Sequence, residues 1–296
     1  MNKKDLTWQK DFMKKSDIVN QYVRANRRFE NMFYSRIRKA IHVKVSHVIN
    51  DLSKGYDYAI NNLSIDIGNN DLEKEVKSLY ETVGVYHARA TDRRLKKDIR
   101  KGFGFNAEWT KFINDYLAEF LFDKITFAVA DTTKNALLKA LTAGNISGLS
   151  IDGMIEQLTE WPFERYQAAR IVRTEVNRAS NVGALAQSKT SEYEQQKEWI
   201  SVEDNRTRGQ HPGDHANHVA LNGVKIDAGD DFIDPVNGDR LHIPGDTMAS
   251  AASTIECRCQ AVFINKRDAN GNLIPKRKTT TVIYPGQIRT GQTITI

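Results

Sequence analysis

Lys197-Glu198-Trp199-Ile200-Ser201-Val202 is the stretch at which the chain changes grammar, because it reads as a β-strand and the sequence before it reads as helix. All six prolines lie at or after Pro162, and five of them lie after residue 200. The first 161 residues therefore hold no proline, which is what long uninterrupted helices require. From Trp8 to Leu52 the apolar residues Phe12, Val19, Tyr22, Val23, Phe29, Phe33, Ile37, Ile41 and Val45 recur mostly at steps of three, four or seven. That spacing marks one face of a helix, or of two helices in line. A second helical stretch is expected from about Asp71 to Arg100 and a third from about Ala107 to Thr142, with Gly55, Gly68, Gly102 and Gly104 as punctuation. A short helix follows over Ile151–Thr159 with Ser150 as its N-cap, and a last one from Phe163 to about Ser191, just after Pro162.

Beyond Lys197 the signals are turns. Nine of the eighteen glycines fall in the last 97 residues. Asn222-Gly223 between Val219-Ala220-Leu221 and Val224-Lys225-Ile226 predicts a hairpin, and Asn237-Gly238 between Ile233 and Leu241 predicts a second turn. Cys257–Ile264 reads as a closing strand. The tail from Asn265 is basic and rich in Thr, Pro and Gly, with Thr-Ile stretches at Thr281-Val282-Ile283 and Thr293-Ile294-Thr295-Ile296. Those could add as strands to a neighbour, or the tail is untethered. The expected architecture is a mostly α N-terminal region of long helices (1–148), then a small turn-rich α+β domain with short antiparallel strands (149–264), then an extended C-terminal tail (265–296).

Composition narrows the class. Hydrophobic residues make up 40% and charged residues 27% of 296, ordinary for a globular protein with two modest cores. No apolar run approaches the roughly 18 residues of a membrane span, so no membrane partner is expected. Met1–Asp11 holds three lysines and no apolar block, unlike a secretory signal. With only Cys257 and Cys259, a disulfide-stapled extracellular scaffold is excluded, and a reducing cytosol or something assembled there is the expected setting. Residues 1–100 hold 21 Lys+Arg against 13 Asp+Glu, a net of +8, and residues 266–296 hold six against one, a net of +5. The whole chain is +6, so residues 101–265 carry −7. A basic front, an acidic middle and a basic tail suggest separate contacts for separate segments.

Five features carry possible chemistry. In a strand, Cys257 and Cys259 would point to one face, where two thiolates could grip a soft cation. His211, His215 and His218, with Asp204 and Asp214, lie in the preceding polar loop and would complete a zinc set. A reduced, buried pair of small hydrophobes is the competing account. Asp204-Asn205-Arg206-Thr207-Arg208 is either a self-satisfied polar turn or, with His211 as base, part of a catalytic group, although nothing at fixed spacing supplies a nucleophile. Pro244-Gly245-Asp246 is a turn whose Asp can bond backbone amides or join a metal site. Arg173, Asn177 and Asn181 form a stripe four residues apart that either docks the small domain or faces water. Arg93, Arg94, Lys96, Lys97, Arg100 and Lys101 suit a phosphate backbone or an acidic partner, or are a solvated helix end. A Gly-rich phosphate loop, G-x-S-x-G and H-E-x-x-H are all missing.

Taken in order, the features resemble a known pattern. Ala169-Arg170-Ile171-Val172-Arg173-Thr174-Glu175-Val176-Asn177-Arg178-Ala179 looks like the helix signature of the Mu F-like family of phage minor head (head morphogenesis) proteins. A Trp strand follows (Trp199), then Asp-x-Arg-x-Arg (Asp204, Arg206, Arg208), then His with Asn-Gly (His218, or His211, with Asn222-Gly223). Asn237–Arg240, Pro244–Asp246 and Ile255–Cys259 complete the series, which covers roughly residues 145–264. The resemblance implies a non-enzymatic virion component, made in the host cytoplasm and placed at the portal vertex or inside the head. It would act in head assembly and be ejected, in some relatives, with the DNA. Implied partners are the portal, major capsid or scaffold proteins through the helical front, and packaged DNA through the basic segments. Zinc is the one cofactor in prospect. Two alternatives stay open: a metal-dependent nuclease, with the His loop, Asp204 and Asp246 holding the ion and Arg206 or Arg208 gripping phosphate, and a non-catalytic DNA-binding virion protein.

Overall fold

A computed structural model describes residues 3–65, 70–96, 106–120, 125 and 127–276. The proline-free front does give one unbroken helix, α1 (Lys3–Leu52), 50 residues long. It stops where Gly55 takes a φ of 125°, a left-handed conformation open to glycine. Then come α2 (Tyr56–Ile65), α3 (Asn70–Lys96), α4 (Asn106–Phe120), α5 (Phe127–Ile146), α6 (Ile151–Thr159) and α7 (Phe163–Thr190). Within the stretch expected as one helix over 107–142 lie α4 and α5, with residues 121–124 and 126 outside the described ones, and α2 is an addition. Ser150 caps α6 as expected, its hydroxyl accepting from the Gly153 amide at 3.1 Å.

Two helical cores result. The larger gathers Phe29, Phe33 and Ile37 of α1, Val76, Leu79 and Val83 of α3, Trp109 and Ile113 of α4, and Val172, Val176 and Val182 of α7. The smaller joins Val45 and Leu52 of α1 to Leu63 of α2, Leu137 and Leu141 of α5, and Met154 and Leu158 of α6. At the centre α7 is buried along almost its whole second half. It lies so close to α3 that a Cβ on Gly183 would overlap the Gly84 carbonyl oxygen. Among the described residues no helix is long and apolar enough to cross a membrane.

The turn-rich part contributes β1 (Gln195–Ile200), α8 (His218–Leu221), β2 (Lys225–Asp227), β3 (Phe232–Ile233), β4 (Arg240–Leu241), α9 (Ala251–Thr254) and β5 (Gln260–Asn265). An antiparallel sheet runs β2-β1-β5, with Trp199 opposite Ala261, and β3 pairs with β4 across Asn237-Gly238 as predicted. The hairpin predicted at Asn222-Gly223 is corrected. Val219–Leu221 is the helix α8, capped by Asn217 Oδ1 on the Ala220 amide at 2.9 Å, and β2 pairs with β1 instead. The closing strand begins at Gln260, so the two cysteines sit in its irregular lead-in. Ala261 and Phe263 of β5 join the large helical core, while Trp199 belongs to a third core with Leu221, Phe232, Leu241, Cys257 and Cys259. The start of the tail folds back: Tyr193 pairs with Pro275, and Lys276 Nζ donates to the Ser188 carbonyl at 2.8 Å. Thr281–Ile283 and Thr293–Ile296 lie outside the described residues.

Candidate functional site

The polar stripe of α7 docks the turn-rich part. Asn177 and Asn181 each donate a side-chain N–H to the Cys259 carbonyl, at 3.2 and 3.1 Å. Asn181 Oδ1 accepts from the Ala261 amide at 2.8 Å, and Gln260 Nε2 donates to Asn177 Oδ1 at 3.0 Å. These atoms satisfy backbone groups that would otherwise be buried without partners. Arg173 adds an exposed ion pair to Glu256 at 2.9 Å.

One turn further lies a buried ion pair. Arg178 Nη1 donates to both Glu175 oxygens, at 2.6 and 2.8 Å, its Nε donates to the Gly245 carbonyl at 2.6 Å, and Tyr80 of α3 donates its hydroxyl to Glu175 Oε2 at 2.8 Å. Burial opposes the charge on Arg178, but the Glu175 carboxylate outweighs it and raises the pKa. Thus Pro244-Gly245-Asp246 is a docking turn: Gly245, at a φ of 81°, meets Arg178, and Asp246 accepts from the His242 and Met248 amides at 2.8 and 2.9 Å.

Of the residues read as metal ligands, the fold brings three together. His218 Nδ1 lies 3.7 Å from Cys257 Sγ and 3.6 Å from Cys259 Sγ, and all three ligand atoms fall within 4.8 Å of one another. Each residue is at least 97% buried. Trp199 stands edge-on to the His218 ring, centroids 5.1 Å apart, and Phe232 edge-on to Trp199. Hydrogen bonding from Cys259, followed by His218, pulls the Cys257 thiol well below its usual range, and burial pushes Cys259 well above it.

The remaining predicted residues sit elsewhere. Asp204 forms a two-pronged ion pair with Arg258, whose hydrogen bonds hold its carboxyl down at about 2, and it also accepts from the Arg206 amide. His211 is exposed and bonds the Asn205 carbonyl at 2.7 Å, while Asp214 binds the Gly209 and His211 amides. His215 is exposed, Arg206 is exposed, and Arg208 reaches the Ile255 carbonyl. In the basic cluster Arg93 is exposed, but Arg94 turns inward to the Phe263 carbonyl, and burial lowers its pKa. Lys96 ends α3, and Lys97, Arg100 and Lys101 lie outside the described residues. The ion set imagined for a nuclease is not assembled: Asp204 and Asp246 are each committed to internal partners.

Sequence reasoning missed Lys197. It is fully buried in β1, its Nζ donating to the His242 carbonyl at 2.6 Å and lying 3.3 Å from His242 Nδ1, which meets Asp231 at 3.1 Å. Burial brings the ammonium down to about 8. The available signal was register: residue 197 shares strand parity with Trp199 and therefore points to a packed face.

No curated protein and no solved structure matches the chain. The model of one family, described as Phage Mu protein F like protein, matches residues 135–262. That span holds α7, the docking turn, the sulfur–imidazole cluster and the first half of β5. Over residues 135–262 the chain is similar to the Phage Mu protein F like family.

Proposed function

We propose that the chain is a structural minor head protein, placed at the portal vertex on the inner side of the head and acting in head morphogenesis. The observation that carries this reading is how the family segment uses its signature side chains. Glu175, Asn177, Arg178, Trp199, Gly245 and the Cys257–Cys259 segment are buried or bonded inward, joining α7 to the turn-rich part. Such residues hold a shape rather than meet a substrate. The long helical front supplies the surface for a portal, scaffold or capsid partner, and exposed Arg24, Arg27 and Arg28 on α1 suit an acidic protein face or packaged DNA.

Cross-linking mass spectrometry on purified particles tests the placement. Expected are few copies per particle and cross-links from α1 to the portal. Absence from particles, or cross-links spread evenly over the major capsid lattice, would sink the proposal. The purified chain should also leave DNA and RNA intact in the presence of zinc or magnesium. Cleavage that copurifies with the chain and is lost on Asp204→Asn would restore the nuclease reading.

A further inference from the structure

We infer that His218 Nδ1, Cys257 Sγ and Cys259 Sγ bind one zinc ion that staples the turn-rich part together. The first argument is distance. A tetrahedral zinc, with bonds of about 2.3 Å to sulfur and about 2.05 Å to nitrogen, separates a sulfur from a nitrogen ligand by about 3.5 Å. The two observed separations are 3.6 and 3.7 Å. Hydrogen bonding alone explains this arrangement poorly. A neutral imidazole nitrogen has one in-plane lone pair, yet both sulfurs converge on the same Nδ1. Three soft donors around a common point is what a cation requires.

The second argument is charge and surroundings. Among the described residues His218 Nε2 is buried without a hydrogen-bond partner, and the ring's polar contacts run through Nδ1. The enclosing residues are Trp199, Leu221, Phe232 and Leu241. Two thiolates and a neutral imidazole cancel the charge of a divalent ion, which allows the assembly to sit in an apolar setting where an isolated thiolate would be costly.

The third argument is need. Between β1 and β5 the regular elements are two helices of four residues and strands of two or three, packed on a core of six buried side chains. A segment with so little apolar burial is the kind that metal ligation stabilises. His218 opens α8 and the cysteines lead into β5, so the ion would tie the 201–218 loop to the backbone that α7 already grips at Cys259. Among the described residues no fourth His, Cys, Asp or Glu joins the group, and the fourth position falls to water or a small ligand.

The test uses the full chain without an affinity tag. Elemental analysis with native mass spectrometry should find one zinc per chain, and cobalt in its place should show thiolate-to-metal charge transfer and the intense visible bands of a tetrahedral site. Zinc should be lost in His218→Ala and in Cys257→Ser/Cys259→Ser, and kept in His211→Ala and His215→Ala. Chelation of the wild type should strip hydrogen-exchange protection from residues 201–259 while α3 and α7 keep theirs. A wild-type chain that folds without metal and takes up neither zinc nor cobalt overturns the inference, as does zinc that survives His218→Ala. Should the cysteine variant fail to fold, the wild-type cobalt spectrum and the chelation footprint decide the matter on their own. None of these outcomes depends on placement in a phage head.

Discussion

The helical front and the turn-rich part solve the same problem with different materials. In the front, α1, α3, α4 and α7 bury periodic apolar faces against one another, and the order follows from spacing and shape. Between β1 and β5 few apolar residues are buried, and conformation is set by carboxylates and amides that bond backbone N–H groups. Asp234 accepts from the Asn217 and Val236 amides, Asp239 from Ser250 and Ser253, and Asp246 from the His242 and Met248 amides. One design tolerates exchange among apolar residues of similar size, and the other depends on individual atoms.

The seam between the two should be the most sensitive place. Glu175→Ala leaves the Arg178 guanidinium buried without its counter-charge and should cost about 4 kcal/mol, read by urea denaturation. A cost under about 1 kcal/mol would mean that the pair adds little to docking. Gly183→Ala forces α3 and α7 apart and should cost about 3 kcal/mol, in the front alone. If the two variants lose α-helical signal and turn-rich protection in the same step, the contrast between the regions does not extend to cooperativity.

Acid should attack the front through His87. That ring is buried between α1 and α3, stacked on Tyr22 at 4.6 Å, and burial lowers its pKa to about 3. The folded state thus refuses a proton that the unfolded chain accepts below its ordinary 6.5, so stability falls as pH drops from 6.5 toward 3. The loss should reach about 3 kcal/mol by about pH 4, and His87→Leu should remove it. Lys197 gives the turn-rich part an opposite window. With its pKa held near 8, stability should rise as pH climbs from 8 toward 10.5, and Lys197→Met should flatten that rise.

Two smaller changes sharpen the comparison. Asn181→Ala strips partners from the Ala261 amide and the Cys259 carbonyl and should cost about 2 kcal/mol, with exchange rising first in β5. Ser150→Ala removes one cap and should cost about 1 kcal/mol, with the turn-rich part unaffected. Equal and global effects of these two would erase the distinction between atom-specific and pattern-based order.

This distinction also explains what could be read in advance. The spans of α1, α6 and α7, the Ser150 cap and the Asn237-Gly238 turn are local properties, written in spacing and in single residues. Val219–Leu221 was misread because Asn217, two residues earlier, caps a helical turn there, and a strand pattern of three residues is too short to resist it. The i, i+4 stripe on α7 was visible, whereas the Glu175–Arg178 pair at i, i+3 gained meaning only once Gly245 was known to lie beside it. Choosing His218 over His211 or His215 needed the path of a loop held by Asp204, Asp214 and Asp234, which no periodicity records. Arg94 looked like surface charge because a basic run gives no hint that one member reaches a carbonyl of β5.

The helix α7 has a consequence for how this architecture can vary. Its flanks belong to different neighbours, α1 and α3 on one side and the residues around Gly245 and Cys259 on the other. The segment that the family model matches, residues 135–262, contains the helix but neither α1 nor α3. Taken alone, that segment is an incomplete solid with one bare flank. In this chain α1 and α3 cover that flank, and α3 passes within a glycine's width of position 183. Substitutions in the front that keep the shape of this lid should therefore leave its seam with the turn-rich part intact.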